Sequence, residues 1–257
     1  MKQFIKVALI GLVAVIFLNS SVMAQKAENL TAKSKKTVLV ELFTSEGCSS
    51  CPSADSVLAR LEKEQPNTNA EIITLALHVD YWNYLGWKDE FSSALYSQRQ
   101  NSYSNTFGLD SNYTPQMVVD GQKEFVGSNF GKAQQAISDA LKNDKANIEI
   151  SNTENNLNVK ISDLPTHEKS NIWLVIAEDN LSTNVRRGEN SGRTLQHVSV
   201  VREMKIIGNV AATDANFATE TAFKLQPNWN KKNLKFVVFV QGADTMKIFG
   251  VNKKGIS

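Results

Sequence analysis

The chain has few of the residues that define specialised scaffolds. Its 257 residues include two cysteines, five prolines and 13 glycines. Two cysteines are too few for a disulfide-rich scaffold, and so little glycine and proline excludes a collagen-like or low-complexity chain. Hydrophobic residues make up 42% of the chain, which is enough to build a core. The length therefore suits one large or two small globular domains.

The chain also lacks an excess of charge of either sign. Lys and Arg together number 28 and Asp and Glu number 26, so the formal net charge is +2. Removal of Lys2 and Lys6 with an N-terminal signal would bring this balance to zero. We therefore do not expect a surface that binds nucleic acid through its bulk charge.

The apolar run near the N-terminus is too short to span a membrane. Residues 7–18 follow Lys2 and Lys6, whereas a transmembrane helix needs about 20 apolar residues. The run leads to Val22-Met23-Ala24, which predicts a secretory signal peptide over residues 1–24 and export to the periplasm or medium. No stable membrane span is then expected after cleavage, although an uncleaved N-terminal anchor is the alternative. Residues 25–36 are polar and are predicted to form a flexible leader.

The remainder of the chain has two segments of different pattern. Residues 37–145 alternate between apolar β-prone runs and amphipathic helical stripes, which predicts an α/β domain with a mixed sheet. The expected strands are 37–43, 71–79 and a hairpin over 116–126; the expected helices are 49–63, 88–104 and 128–143. From residue 146 to 257, short β-prone runs separated by turn residues predict a second, mostly antiparallel β-sandwich-like domain.

The cysteines carry the most specific chemical signal. Cys48 and Cys51 follow a predicted buried strand and open a predicted helix. Free N–H groups and the positive end of a helix dipole stabilise a thiolate at that place. We therefore expect Cys48 to be the exposed attacking thiol and Cys51 the buried resolving thiol of a thiol–disulfide oxidoreductase. Its partner would be a protein or small molecule that contains a thiol or a disulfide, and no cofactor or metal is assigned.

Two other interpretations of the cysteine pair stay open. The pair could be a structural disulfide in a non-catalytic binding or scaffold protein, although so small a loop constrains little chain entropy. It could also belong to a metal-binding module. A zinc site would need two further ligands from His78, His167 and His197, because the chain has no second cysteine pair.

Three residues outside the pair are further candidates. Glu41 lies inside the first predicted strand, where a buried acid would have a raised pKa and could carry the proton of Cys51; alternatively it pairs with a basic group. His78 ends the second predicted strand and is either catalytic or a hydrogen-bonded core residue. Trp82 belongs to an aromatic group that could line a substrate groove.

Five segments resemble a secreted bacterial family catalogued as domain of unknown function 1223. They are VELFTSEGCSSCP (40–52), HVDYW (78–82), LGWK (85–88), YTPQMVVDG (113–121) and VRRGEN (185–190). In addition, residues 37–145 resemble the thioredoxin superfamily in element order, cysteine pair and proline position. This resemblance implies a thioredoxin-like fold in which a cis Thr114–Pro115 bond faces the cysteine pair and offers its backbone to a substrate strand.

A basic loop of the second segment is expected to lie close to the cysteines of the first. Residues 185–193 contain three arginines but are too short and too mixed in sign for a nucleic-acid patch. Residues 37–145 carry a net charge of −6 and residues 146–257 one of +3, and no Gly/Ser/Pro linker lies near residue 146. We therefore predict that the second domain packs against the first and places this loop near Cys48.

Overall fold

The computed structural model of the chain describes residues 36–65 and 70–256. The predicted signal peptide, its cleavage site and the leader up to residue 35 lie outside these residues, as does the predicted end of the first helix at 66–67. The helices are α1 (Cys51–Glu64), α2 (Ala94–Phe107) and α3 (Phe130–Ala140). Within the described residues, no helix is both long enough and apolar enough to cross a bilayer.

In the part of the chain that the structure describes, thirteen strands and two short 3-10 turns accompany these helices. The strands are β1 (Lys36–Thr44), β2 (Ala70–His78), β3 (Gln116–Val119), β4 (Lys123–Val126), β5 (Asn147–Asn152), β6 (Asn156–Ser162), β7 (Ser170–Glu178), β8 (Leu181–Asn184), β9 (Thr194–His197), β10 (Val200–Val210), β11 (Phe217–Ala222), β12 (Leu234–Gly242) and β13 (Ile248–Gly255). The 3-10 turns are Asn83–Leu85 and Lys231–Asn233. The fold is thus mixed α/β with a large, mostly antiparallel sheet.

Eight strands form one continuous sheet in the order β13-β12-β7-β10-β2-β1-β3-β4. β1 runs parallel to β2, β2 runs parallel to β10, and the other neighbours are antiparallel. The boundary predicted at residue 146 therefore does not separate two sheets, and residues from 36 onward form one compact unit. The physical reason is the edge of β2. An unpaired edge of such an apolar strand would be exposed in a separate first domain, and β10 covers it by pairing Val200 with Ala76.

The two faces of β1 contribute to different cores because side chains alternate along a strand. Val38, Val40 and Leu42 pack with α1 and α3 on one face. Leu39 and Phe43 pack on the other face, with α2 and with β7, β10 and β12. This alternation decides which side chains of β1 can reach the helix that carries Cys51.

A second sheet covers the part of the large sheet that is formed by strands after residue 146. β11, β6 and β5 form this three-stranded antiparallel sheet. Leu157, Val159 and Ile161 on β6 pack against apolar residues of β7 and β12, such as Leu174 and Phe236. A sandwich-like arrangement is therefore present, but one of its layers is the extension of the sheet that contains β1.

Candidate functional site

Cys48 and Cys51 form a disulfide in the connection between β1 and α1, with their Cα atoms 5.4 Å apart. The chain turns sharply here: the Cys48 N–H donates to the Ser45 carbonyl and the Cys51 N–H to the Cys48 carbonyl, both over 3.2 Å. α1 begins only at Cys51, and Pro52 occupies its first turn, where the missing N–H costs nothing. The prediction that Cys48 opens the helix is therefore wrong, because a separate turn precedes the helix.

Both cysteines are buried in the disulfide form. Cys48 is 1% exposed and Cys51 0%, whereas Ser49 and Ser50 between them are exposed. The expected exposure of Cys48 is therefore wrong for this form. One reason is the completely buried side chain of Asn190, whose Nδ2 donates to the carbonyl oxygens of Glu46 and Cys48, each over 2.9 Å.

The loop that supplies Asn190 connects β8 to β9 and spans residues 185–193. Its Glu189 carboxylate accepts a hydrogen bond from the Ser49 N–H over 2.9 Å. The side chain of Ser49, together with this N–H, lowers the pKa of Glu189. Gly188, at φ 75°, packs so close that an added Cβ would lie 3.2 Å from Cβ of Trp87. These contacts confirm that the second half of the chain places this loop on the cysteine turn.

A buried acid, Glu46, anchors the turn from the side of the second half. Its Oε1 lies 3.2 Å from Nε2 of His197 on β9. Its Oε2 accepts a hydrogen bond from the indole N–H of Trp87 over 2.7 Å. Glu46 is 1% exposed, and nothing in the local sequence pattern indicates that it would be buried.

His78 reaches the same turn through an intermediate carboxylate. Its Nδ1 lies 2.7 Å from Oδ2 of Asp89, and the same oxygen accepts the N–H of Glu46 over 2.9 Å. Burial disfavours the imidazolium, but Asp89 outweighs this effect and raises the pKa of His78. His78 therefore holds the turn through Asp89, and its contacts are those of a positioning residue.

Asp55, a partly buried residue, lies on α1 one helical turn beyond Cys51. Residues four apart on a helix are neighbours on one face, with Cβ atoms about 5–6 Å apart. Asp55 accepts a hydrogen bond from Oγ1 of Thr44 over 2.9 Å. Burial raises the pKa of Asp55, although His197 and His78 act in the opposite direction. Asp55 is not among the candidates from the sequence, although its four-residue spacing from Cys51 indicates that it shares a helix face with that cysteine.

Glu41 is not the proton carrier that the sequence suggested. It lies on the face of β1 that carries Leu39 and Phe43, opposite α1. Its Oε1 is 2.6 Å from Nε of Arg99 and its Oε2 is 3.1 Å from Nη2 of the same guanidinium. The hydroxyl of Tyr103 also donates to it. The alternative, that Glu41 pairs with a basic group, is the one that the structure shows.

Trp82 connects the cysteine turn to the turn at Thr114 and Pro115. Its indole N–H donates to Oγ1 of Thr114 over 2.8 Å, and its Cβ would lie 3.2 Å from a Cβ added at Gly47. The Thr114–Pro115 peptide bond is cis, which confirms that part of the expectation from the resemblance. The buried Gln100 holds the same turn by donating to the carbonyl of Tyr113 over 2.8 Å.

The histidines considered for a zinc site do not converge. His78 and His197 stack edge to face with ring centres 5.0 Å apart, but His167 lies between the carbonyls of Pro165 and Ala211. Across residues 36–65 and 70–256, no three His, Cys, Asp or Glu side chains are arranged to hold a metal ion.

Comparison with known proteins shows the fold and the family. A protein of Agrobacterium tumefaciens has a similar structure, with a TM-score of 0.69 and 22% identity over 86% of this chain and 95% of that chain. HBP35 of Porphyromonas gingivalis gives a TM-score of 0.60 and 17% identity over 86% of this chain and 76% of that chain. No curated protein matches. The family described as "Protein of unknown function (DUF1223)" matches residues 39–241, and the chain therefore belongs to the DUF1223 family.

Proposed function

We propose that the protein is an exported thiol–disulfide oxidoreductase that uses Cys48 and Cys51. The observation that carries the proposal is the disulfide between a buried strand and a helix, with the raised-pKa carboxyl of Asp55 one turn beyond Cys51. Export rests on the signal peptide predicted from the sequence.

The topology around the disulfide supports this assignment. β1, α1 and β2 form a parallel unit, and the antiparallel hairpin of β3 and β4 follows α2 on the other side of β1. We infer that this unit is thioredoxin-like, because the order β2-β1-β3-β4 and the place of the cysteines resemble those of thioredoxins. β10 and the strands beyond it would then extend the sheet at the edge of β2.

The proposed reaction exchanges one disulfide for another. A substrate thiolate attacks Sγ of Cys48, the Cys48–Cys51 bond breaks, and Cys51 leaves as a thiolate. A second substrate thiolate then attacks the substrate sulfur of this mixed disulfide and releases Cys48 as a thiolate. The substrate dithiol is thereby oxidised to a disulfide and the protein is reduced. The same steps in reverse reduce a substrate disulfide.

Asp55 is suited to handle the proton of Cys51. A carboxyl group with a raised pKa holds its proton at a pH where an ordinary carboxyl has lost it, so it can protonate the leaving thiolate. In the reverse direction the carboxylate of Asp55 accepts the proton when Cys51 becomes the nucleophile. Its Thr44 hydrogen bond fixes the carboxyl on the side of α1 that faces β1.

Two measurements on the mature protein test the proposal. In buffers of graded thiol and disulfide content, Cys48 and Cys51 should titrate reversibly between dithiol and disulfide while the fold stays intact. Cys51→Ser should accumulate mixed disulfides with substrates, whereas Cys48→Ser, the matched control, should not.

The opposite result would identify a structural disulfide. The burial of both cysteines and their cover by Asn190 are also what a static disulfide would show. If the pair became reducible only when the protein unfolded, and Cys51→Ser trapped nothing, the oxidoreductase proposal would be wrong. A binding or scaffold role would then be favoured.

A further inference from the structure

We propose that the substrates are polypeptide segments in which acidic residues flank the reacting cysteine. A basic rim, defined here as Lys88, Arg186, Arg187 and Arg193, would select them. This inference rests on the proposed function, because it concerns which partners reach the Cys48–Cys51 pair.

The basic rim lies on two segments that contact the cysteine turn, through Asn190 and Glu189 in one and Trp87 in the other. Arg186 and Arg187 lie two to three residues before Glu189, whose carboxylate touches the Ser49 N–H. A residue spans at most about 3.6 Å of chain, so the backbones of both arginines lie within roughly 11 Å of the backbone of Glu189. Nη1 of Arg193 donates to Oδ1 of Asn190 over 3.1 Å. Lys88 follows Trp87, against which the same loop packs.

The rim cations are exposed and have no acidic partner. Among the residues that the structure describes, none of the four has a carboxylate within ion-pair distance. Other cations of the same chain are paired; Arg99 binds Glu41 and Lys235 binds Glu62.

Two acidic residues lie in the same segments as the basic rim, but they do not cancel its charge. Glu90 is exposed two residues after Lys88, and Glu189 is held by the Ser49 N–H. The two segments therefore keep more exposed cations than carboxylates. An anionic group that approaches Cys48 meets this excess without first displacing an internal ion pair.

Exposed apolar side chains beside the rim favour a polypeptide over a small molecule. Tyr84 is 81% exposed and Leu85 41%, and both lie on the 3-10 turn that precedes Trp87. The carbonyl of Leu85 would lie 3.6 Å from a Cβ at Gly188, so this turn and the basic loop are adjacent. A small disulfide that reaches Cys48 is too short to cover both the apolar side chains and the arginines, whereas a peptide of several residues can do so.

The expected selectivity is an effect on association rate. The Debye length is about 8 Å at physiological ionic strength, so exposed charges at the rim act on a substrate as it docks. Charged clefts raise the association rate of ligands of opposite charge by about 10- to 1,000-fold, and salt removes this gain. We expect the lower end of this range, about 10-fold between acidic and basic substrates at low salt, since the rim is open to solvent.

The test measures thiol–disulfide exchange between the reduced mature protein and two matched disulfide peptides. In one, Glu flanks the disulfide-bonded cysteine, and in the other Lys does. The readout is the ratio of the two rates, at low salt and at high salt. A small uncharged disulfide, 2-hydroxyethyl disulfide, reports in parallel whether the pair exchanges at all.

Two double variants that change the charge by the same amount test whether the rim causes this rate ratio. In Arg186→Glu/Arg187→Glu the acidic-to-basic ratio should fall from about 10 to about 1 or below. Lys224→Glu/Lys231→Glu, the matched control, alters exposed lysines beside a cleft at the second sheet and should keep the ratio of the unmodified protein.

Each outcome is decisive. A ratio near 1 in the unmodified protein, or one that the control lowers as much as the rim variant, would overturn the inference while leaving the function standing, provided that 2-hydroxyethyl disulfide reacts. If that disulfide also fails to react, the proposed function is wrong and the inference falls with it. A high ratio that is abolished by salt and by the rim variant supports the proposed function and the inference.

Discussion

At the scale of single residues, Asp55 and Glu41 show that the face of an element decides what a buried acid can do. Both carboxylates are within a few residues of the cysteines along the chain. Glu41 could be predicted as buried, because it lies in an apolar run, but its face could not, since β1 is apolar on both sides. Arg99, 58 residues away in sequence, completes the pair that removes Glu41 from the chemistry.

Asp55→Asn separates the proton-transfer role of this residue from a structural one. Burial raises the pKa of Asp55 in the folded protein above its ordinary value of 3.8. The folded state thus binds the proton more tightly, and this group makes stability fall as pH rises from the ordinary to the raised pKa. At neutral pH the neutral amide should leave thermal stability equal or higher. Reduction of the disulfide should slow on the order of 100-fold, the usual scale of acid–base assistance.

The measurement is the rate of reduction by dithiothreitol from pH 5 to 9, with thermal unfolding at each pH. Asp139→Asn is the matched control, because Asp139 on α3 is partly exposed and pairs only with its neighbours. An unchanged pH–rate profile in Asp55→Asn would remove Asp55 from the mechanism.

At the scale of elements, local patterns predicted most strands and helices to within a few residues. The predicted strand at 71–79 is β2, and the predicted hairpin over 116–126 is β3 and β4. The hairpin of β8 and β9 was missed because strands of four residues carry almost no periodicity. Helix α2 begins later than predicted, at Ala94, because Ser93 caps it by accepting the Leu95 N–H.

The loop between β8 and β9 lies against the cysteine turn, and we expect it to limit access to the cysteines. The buried amide of Asn190 bridges the carbonyls of Glu46 and Cys48. In Asn190→Ala the Glu46 carbonyl loses this donor and the Cys48 carbonyl keeps only the N–H of Cys51. The expected cost is about 1–3 kcal/mol in the free energy of unfolding. The turn should loosen, and the reduced protein should be alkylated about 10-fold faster, on the scale of 1.4 kcal/mol per factor of ten.

Iodoacetamide labelling with peptide mass spectrometry measures both the rate and the order of reaction. Cys48 should react before Cys51 in both proteins, since Cys51 is held as the first residue of α1, whereas Cys48 lies in the turn before it. Asn184→Ala is the control, because Asn184 binds Thr194 at the exposed base of the same loop. Equal labelling rates for Asn190→Ala and the native chain would show that the loop does not limit access.

At the scale of the whole molecule, the pairing of distant strands could not be predicted from the sequence. The composition change near residue 146 is real, and the second half does form strands. Register and partner, however, depend on side chains more than 100 residues apart, such as Val200 opposite Ala76. The charge difference between the halves correctly indicated that they associate. It could not show that they share backbone hydrogen bonds.

This shared sheet predicts that residues 25–145 do not fold alone. Without β10, the edge of β2 is unpaired, and the core beside Phe43 loses Val175, Val237 and Phe239. Arg99 also loses its hydrogen bond to Gln241. The isolated fragment should therefore aggregate, or remain expanded and bind a hydrophobic dye without a cooperative thermal transition.

Co-expression with residues 146–257 provides the control for this prediction, because only the peptide link is then broken. We expect the two fragments to copurify, to recover a cooperative transition, and to protect the cysteines from alkylation as the intact chain does. A soluble 25–145 fragment that melts cooperatively and exchanges disulfides at the rate of the full protein would contradict this view. The second half would then be an addition to a complete redox domain. If the prediction holds, β10 completes the sheet and the loop at 185–193 completes the site, so neither the fold nor the chemistry belongs to one half.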